Sequence, residues 1–215
     1  MKVLVVGANG QIGKHLVKKI QDSEHEARAM IRKEEQASYF EDLGAETAIV
    51  DLEDDIDAIR EAAEGVDAIV FTAGSGPNTG KDKTLLIDLD GAVKTVEAAK
   101  QAGVGRFVLV SSFDTSRKAI QDTPSSFSPY VVAKHYADVA LKNSGLYYTI
   151  VHPGILTNDD ATGNVQLADK VERGEVPRAD VAEVLFHTLN TDSTIGKAFQ
   201  VVGGDKSVKE AVQSV

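Results

Sequence analysis

The sequence predicts a doubly wound α/β fold: a parallel sheet of about seven strands with helices on both faces. Three observations carry this expectation. Short β-branched runs recur along the chain, several of these runs are apolar at every position, and the segments between them space apolar residues at three-to-four intervals. A strand covered on one face alternates polar and apolar residues, whereas a strand covered on both reads as a continuous apolar run. That is the pattern of parallel sheets wrapped by crossover helices.

The elements follow in order. Residues 3–6 form the first run, and Ile12, Leu16, Val17 and Ile20 mark the buried stripe of the helix after it. Further strands are predicted at 27–31, 47–50, 68–72, 107–110, 148–152 and 199–202. Val93, Val96, Ala99 and Ala102 give another crossover helix, closed by Gly103 and Gly105 where a left-handed residue is commonly needed. The stretch 112–128, rich in Ser, Thr and Asp, reads as a loop at the carboxyl edge of the sheet, beside the expected ligand crevice. No repeat or proline-rich linker divides the 215 residues, so one domain over 1–215 is expected, with 154–196 contributing a small substrate-side region.

Composition narrows the function. The net charge of −10 and a pI near 5.0 repel a phosphate backbone at long range, so nucleic acid is not an expected partner. Cysteine is absent, which suits a reducing cytoplasm and removes thiolate chemistry. No apolar run approaches the roughly 20 residues of a membrane span, and the run 3–6 is too short for a signal segment. The five histidines, His15, His25, His135, His152 and His187, show no metal-ligand spacing, and His135 is expected at the surface.

The first strand leads into Gly7-Ala8-Asn9-Gly10-Gln11-Ile12-Gly13 and then directly into a helix. Glycines there permit a tight turn, let backbone approach a pyrophosphate and bring helix and strand together, while the helix N-terminus offers unpaired N–H groups. Taken alone, a glycine triplet equally fits a plain βα turn. Its place at the head of a βαβ unit favours dinucleotide binding.

The second strand ends in Arg32 and Lys33, where an NAD-specific chain usually carries an acid for the ribose 2′-hydroxyl. A guanidinium there pairs with a 2′-phosphate, which favours NADP over NAD. The alternative is a solvated cation at a helix start, followed as it is by Glu34 and Glu35. Asp51-Leu52 after the third strand and Thr72-Ala73-Gly74 after the fourth fall on the same edge of the sheet. Asp51 suits the adenine amino group or, alternatively, a cap for a helix over 54–63.

Tyr130 and Lys134 stand four residues apart, on one face of a helix if Pro129 occupies its first turn. An ammonium within about 4–6 Å favours the phenolate, making the tyrosine a usable proton donor or acceptor. Ser112, at the end of the fifth strand, would orient the substrate oxygen. The spacing is weak evidence alone, and its setting between a Ser-Ser strand end and a further strand strengthens it.

Together Gly7 to Gly13, Arg32, Asp51-Leu52, Thr72-Ala73-Gly74, Asp88, Val110-Ser111-Ser112, Tyr130 with Lys134, and His152-Pro153-Gly154 resemble a short-chain dehydrogenase/reductase. The likeness is to the atypical NAD(P)-binding, epimerase/dehydratase-like branch, and it covers nearly the whole chain. It implies a Rossmann-type sheet of order 3-2-1-4-5-6-7. It also implies Tyr130 as acid/base, Lys134 on the nicotinamide ribose, Ser112 polarising a carbonyl, and backbone from Pro153 to Ile155 holding the carboxamide. His152 stands where similar proteins often have Arg, and the region after Gly154 is short for a sugar-nucleotide lobe. The expected activity is NADP-dependent hydride transfer to or from a small carbonyl or hydroxyl substrate. The alternatives are a non-catalytic NADP-sensing regulator and an NAD-dependent epimerase/dehydratase.

Overall fold

The computed structural model describes residues 1–76 and 78–215. Strand β1 (Lys2–Val6) enters the middle of the sheet and is followed by helix α1 (Gln11–Gln21) and strand β2 (Glu26–Ile31). The chain then winds outward through α2 (Ala37–Glu41) and β3 (Glu46–Ile49) before α3 (Ile56–Ala63) returns it to β4 (Ala68–Phe71). After β4, α4 (Lys81–Lys83) runs through a π-helical segment, Thr84–Gly91, into α5 (Ala92–Gln101). Next come β5 (Arg106–Val110), α6 (Arg117–Asp122), α7 (Ser128–Lys142) and β6 (Tyr147–Pro153). The C-terminal part adds β7 (Ile155–Thr157), β8 (Asn164–Ala168), β9 (Glu175–Pro177), α8 (Arg178–Leu189), β10 (Lys197–Gly203), β11 (Lys206–Ser207) and α9 (Val208–Gln213).

The large sheet has the order β11-β8-β10-β6-β5-β4-β1-β2-β3. Its seven strands from β3 to β10 are mutually parallel and reproduce the expected 3-2-1-4-5-6-7 winding, with β10 as the seventh. The strand count exceeds the expected seven. β8 and β11 add an antiparallel edge, and β7 pairs with β9 in a separate two-stranded ribbon. β7, β9 and β11 have three, three and two residues, and β8 alternates polar and apolar positions at the rim, so no continuous apolar run advertises them.

The apolar run of β1 is explained by its neighbours. Val3 and Val5 face the core under α1 and α8, while Leu4 and Val6 face the core under α3 and α5. All four are fully buried. Each such side chain contributes about 1.5–3 kcal/mol relative to exposure, so a polar residue in this run would open one of the two cores. Residues 112–128, read as loop, contain α6, whose first turn is capped by the Ser116 hydroxyl accepting from the Ala119 N–H at 3.1 Å. Among the described residues no helix is long and apolar enough to cross a membrane.

Candidate functional site

The carboxyl ends of β1 to β5 open onto two adjoining cavities of about 420 and 570 Å³. Both are lined by Gly10, Thr72, Ala73, Gly74, Ser75 and Thr79, so they form one trough that crosses the glycine turn. The crossing is at the point where strand order reverses between β1 and β4, which is where open α/β sheets place their ligands.

The turn itself is built for close approach. Gly7 adopts φ +79°, and a Cβ there would lie 2.6 Å from the Cα of Ala73. At Gly13 a Cβ would meet the carbonyl oxygens of Gly7 and Ala8 at 2.6 Å, so this glycine lets the head of α1 sit against the strand end. Helices α3, α6 and α9 are capped by Asp55, Ser116 and Ser207, whereas α1 has no side-chain cap and no acid in its first turn. Among the described residues the amides of Gln11, Ile12 and Gly13 have no acceptor, and Gly10 is exposed beside them. Unsatisfied first-turn amides with a positive dipole end suit a pyrophosphate.

The first cavity collects Gly7, Asn9, Arg32, Asp51 and Leu52 in addition to the shared residues. Arg32 is exposed at the end of β2 and makes no ion pair among the described residues, whereas Lys33 lies outside the lining and sits 3.7 Å from Glu35. Asp51 is not the cap of α3. That role falls to Asp55, which accepts from Asp57 N–H, while Asp51 accepts from Glu53 N–H at 3.1 Å.

The second cavity takes in Gln11, Ile12, Tyr130 and Lys134. Pro129 occupies the first turn of α7, which puts Tyr130 and Lys134 on one face. Lys134 is 4% exposed; its Nζ lies 5.9 Å from the Tyr130 ring centroid and donates to the Val110 carbonyl at 3.2 Å. Asp88, fully buried on the π-helical segment, stands 3.5 Å from the same ammonium and accepts from the Ser75 N–H at 3.0 Å. Burial pulls the Lys134 pKa down, but its electrostatic interactions with Tyr130, Asp88 and Asp138 more than offset it and hold the ammonium above its ordinary value.

Ser112 does not line the trough, whereas its neighbour Ser111 does. The Ser111 Oγ is buried without a partner among the described residues, while the Ser112 carbonyl accepts from His152 Nδ1 at 2.5 Å. Pro153 is buried and Ile155 half-exposed, and neither lines the trough, which is bounded here by Leu156. His135, expected at the surface, is half-buried with Nδ1 2.7 Å from the Thr115 carbonyl. Sequence reasoning left Phe127, Leu156 and Arg178 out of the site, and each lines the second cavity.

Fold and trough together define a Rossmann-type protein built to bind a nicotinamide dinucleotide. The chain belongs to the NAD(P)H-binding family, whose profile matches residues 7–192. It is 48% identical to the uncharacterized sugar epimerase YhfK of Bacillus subtilis (strain 168), over the full length of both chains. Among solved structures it matches a candidate NAD-dependent epimerase/dehydratase of Bacillus halodurans with TM-score 0.94 and 41% identity, covering 100% of both chains. The oxidoreductase ylbE of Lactococcus lactis matches with TM-score 0.90 and 32% identity, over 100% of this chain and 96% of that one.

Proposed function

We propose that this protein is an NADP-dependent oxidoreductase acting on a small carbonyl or hydroxyl compound, with Tyr130 as its acid/base. The observation that carries the reading is the buried Lys134 ammonium beside the Tyr130 ring, in a cavity continuous with the uncapped head of α1. When bound, the nicotinamide supplies or takes up the hydride. In the reducing direction Tyr130 gives its phenolic proton to the substrate oxygen, and the fixed ammonium stabilises the negative charge left on the ring oxygen. The unpartnered Ser111 hydroxyl is placed to donate to the same substrate oxygen, a role the neighbouring Ser112 would fill less directly. Thr72, Ala73 and Gly74 form the floor on which the cofactor's central part rests, and Asp51 is available to the adenine amino group.

NADP is favoured over NAD by Arg32, a guanidinium without an ion pair among the described residues, on the rim of the first cavity. Calorimetry with both cofactors checks this: Arg32→Ala should weaken NADP binding about 10- to 100-fold and leave NAD within about threefold. Equal wild-type affinities would remove the 2′-phosphate argument. For the chemistry, NADPH consumption over a panel of aldehydes and ketones should fall about 10²–10⁴-fold in Tyr130→Phe. A loss of only a few-fold would unseat the tyrosine. Epimerisation is the second reading, favoured by the names of the B. subtilis and B. halodurans relatives. It predicts interconversion of two epimers with no net change in cofactor absorbance.

A further inference from the structure

We infer that the second cavity recognises a carboxylate carried on a flat apolar body, with Arg178 taking the carboxylate and Phe127 the body; the inference rests on the reading of this cavity as the substrate site. Arg178 opens α8 directly after β9 and is half-buried. One of its terminal nitrogens is committed: Nη1 donates to the Leu156 carbonyl at 3.2 Å and to Asn158 Oδ1 at 2.8 Å. Nε and Nη2 have no partner among the described residues. A guanidinium fixed along one edge presents its remaining donors in a set direction, the geometry that a carboxylate meets with two parallel bonds.

The absence of an internal partner is informative in a chain with 33 Asp and Glu residues. Among the described residues none of them reaches Arg178 within ion-pair distance. Asp180, two positions away, is buried and spends its oxygens on the amides of Thr162 and Gly163 and on the Thr162 hydroxyl, at 2.8–2.9 Å. A half-desolvated cation without a protein counterion favours an anionic ligand over a neutral one. The net charge of −10 gives no long-range help to such a ligand, so a local cation has to supply the attraction.

The rest of the wall is mixed, with Lys81, Thr84 and Ser126 on it, and its apolar part includes Phe127 and Leu156. Phe127 is 51% exposed, and its ring centroid lies 5.0 Å from that of Tyr130 at an interplanar angle of 36°. Leu156 lines the cavity beside Arg178. An exposed aromatic face next to the proposed acid/base suits a planar substrate that stacks while its carboxylate is held at Arg178.

The test is calorimetry with 2-naphthoate and its neutral counterpart 2-naphthylmethanol, on the protein with and without saturating NADP. Wild type should bind the acid at least about tenfold more tightly than the alcohol, the weight of one charge-assisted pair. Arg178→Gln should abolish that preference while the alcohol and NADP affinities stay within about twofold, and Arg178→Lys should restore part of it. Phe127→Ala, at an exposed position, should weaken both probes alike. Equal binding of acid and alcohol by wild type, binding of neither, or an Arg178→Gln variant that keeps the preference would overturn the assignment. A loss of NADP affinity in Arg178→Gln matching the loss of acid affinity would do the same, by giving Arg178 to the cofactor. Failure of the Tyr130→Phe or NADP experiments instead strikes the oxidoreductase reading and leaves these titrations to be read separately.

Discussion

Gly7→Ala separates two costs that usually arrive together. Gly7 has φ +79° and Gly103 has φ +74°, so alanine at either position has to adopt a left-handed conformation, worth about 1–2 kcal/mol. Both substitutions also stiffen the unfolded chain by the same small amount, which cancels between them. They differ in what the new Cβ meets. At Gly103 nothing lies within 4 Å, whereas at Gly7 the Cα and N of Ala73 lie at 2.6 and 2.7 Å. Those are backbone atoms at the end of a central strand and cannot swing aside, so an overpacking cost of about 1–3 kcal/mol is added. Urea unfolding of the cofactor-free proteins measures the difference: at equal slope, the Gly7→Ala midpoint should fall below that of Gly103→Ala by roughly 0.5–1 M. Coincident midpoints would refute the claim that the close approach of Gly7 to Ala73 shapes the turn.

Asp88→Asn removes the buried charge facing Lys134 and should cost about 3 kcal/mol near neutral pH, read by thermal unfolding. Because the ammonium is held above its ordinary value of 10.5, its contribution is complete below that pH and is lost as pH rises through the folded-state value. The gap between wild type and variant should therefore be flat from about pH 7 to 10 and narrow above; a widening gap would reverse the sign. Gly10→Asp, at φ −67° and ψ 162°, adds the missing cap of α1 against a Cβ contact of 3.2 Å to the Gly7 carbonyl oxygen, and should leave the stability of the free protein within about 1 kcal/mol of wild type in a thermal melt. The same variant should weaken NADP binding more than about 100-fold in calorimetry, by placing a carboxylate where the phosphates bind. Asp180→Ala strands the amides of Thr162 and Gly163 and should lower stability by about 3 kcal/mol, a fall in Tm of roughly 6–12 °C.

Much of this architecture was legible because parallel strands buried on both faces write themselves as uninterrupted apolar runs, and β1, β4 and β5 do so. The pairing of Tyr130 with Lys134 was legible because helical spacing and a first-turn proline fix which residues share a face. Other features depend on partners that are remote in sequence. The choice between Ser111 and Ser112 turns on one residue of register, set when Ser111 N–H bonds the Val151 carbonyl and extends the β5–β6 ladder. Asp88, which the sequence offered only as part of the family resemblance, lies on a π-helical segment and meets Lys134 from a remote part of the chain. Arg178 enters the cavity because the β7–β9 ribbon brings Leu156 and Asn158 beside it, a contact between residues about twenty apart.

The distribution of capping is itself an argument about function. Helices α3, α6 and α9 satisfy a first-turn amide with Asp or Ser, at little expense in sequence space. Helix α1, whose head opens into the trough, carries glycine at that position instead, and the heads of α7 and α8, which also reach the trough, likewise have no side-chain cap. A cap there would gain a first-turn hydrogen bond against a close contact, since a Cβ at Gly10 would lie 3.2 Å from the Gly7 carbonyl oxygen. An anion from outside that occupied these amides would supply binding free energy in place of what a cap contributes. In a chain of net charge −10 that anion is not drawn in by the overall field. It would have to be held by contacts inside a Debye length of about 8 Å, such as those proposed for these amides and Arg32.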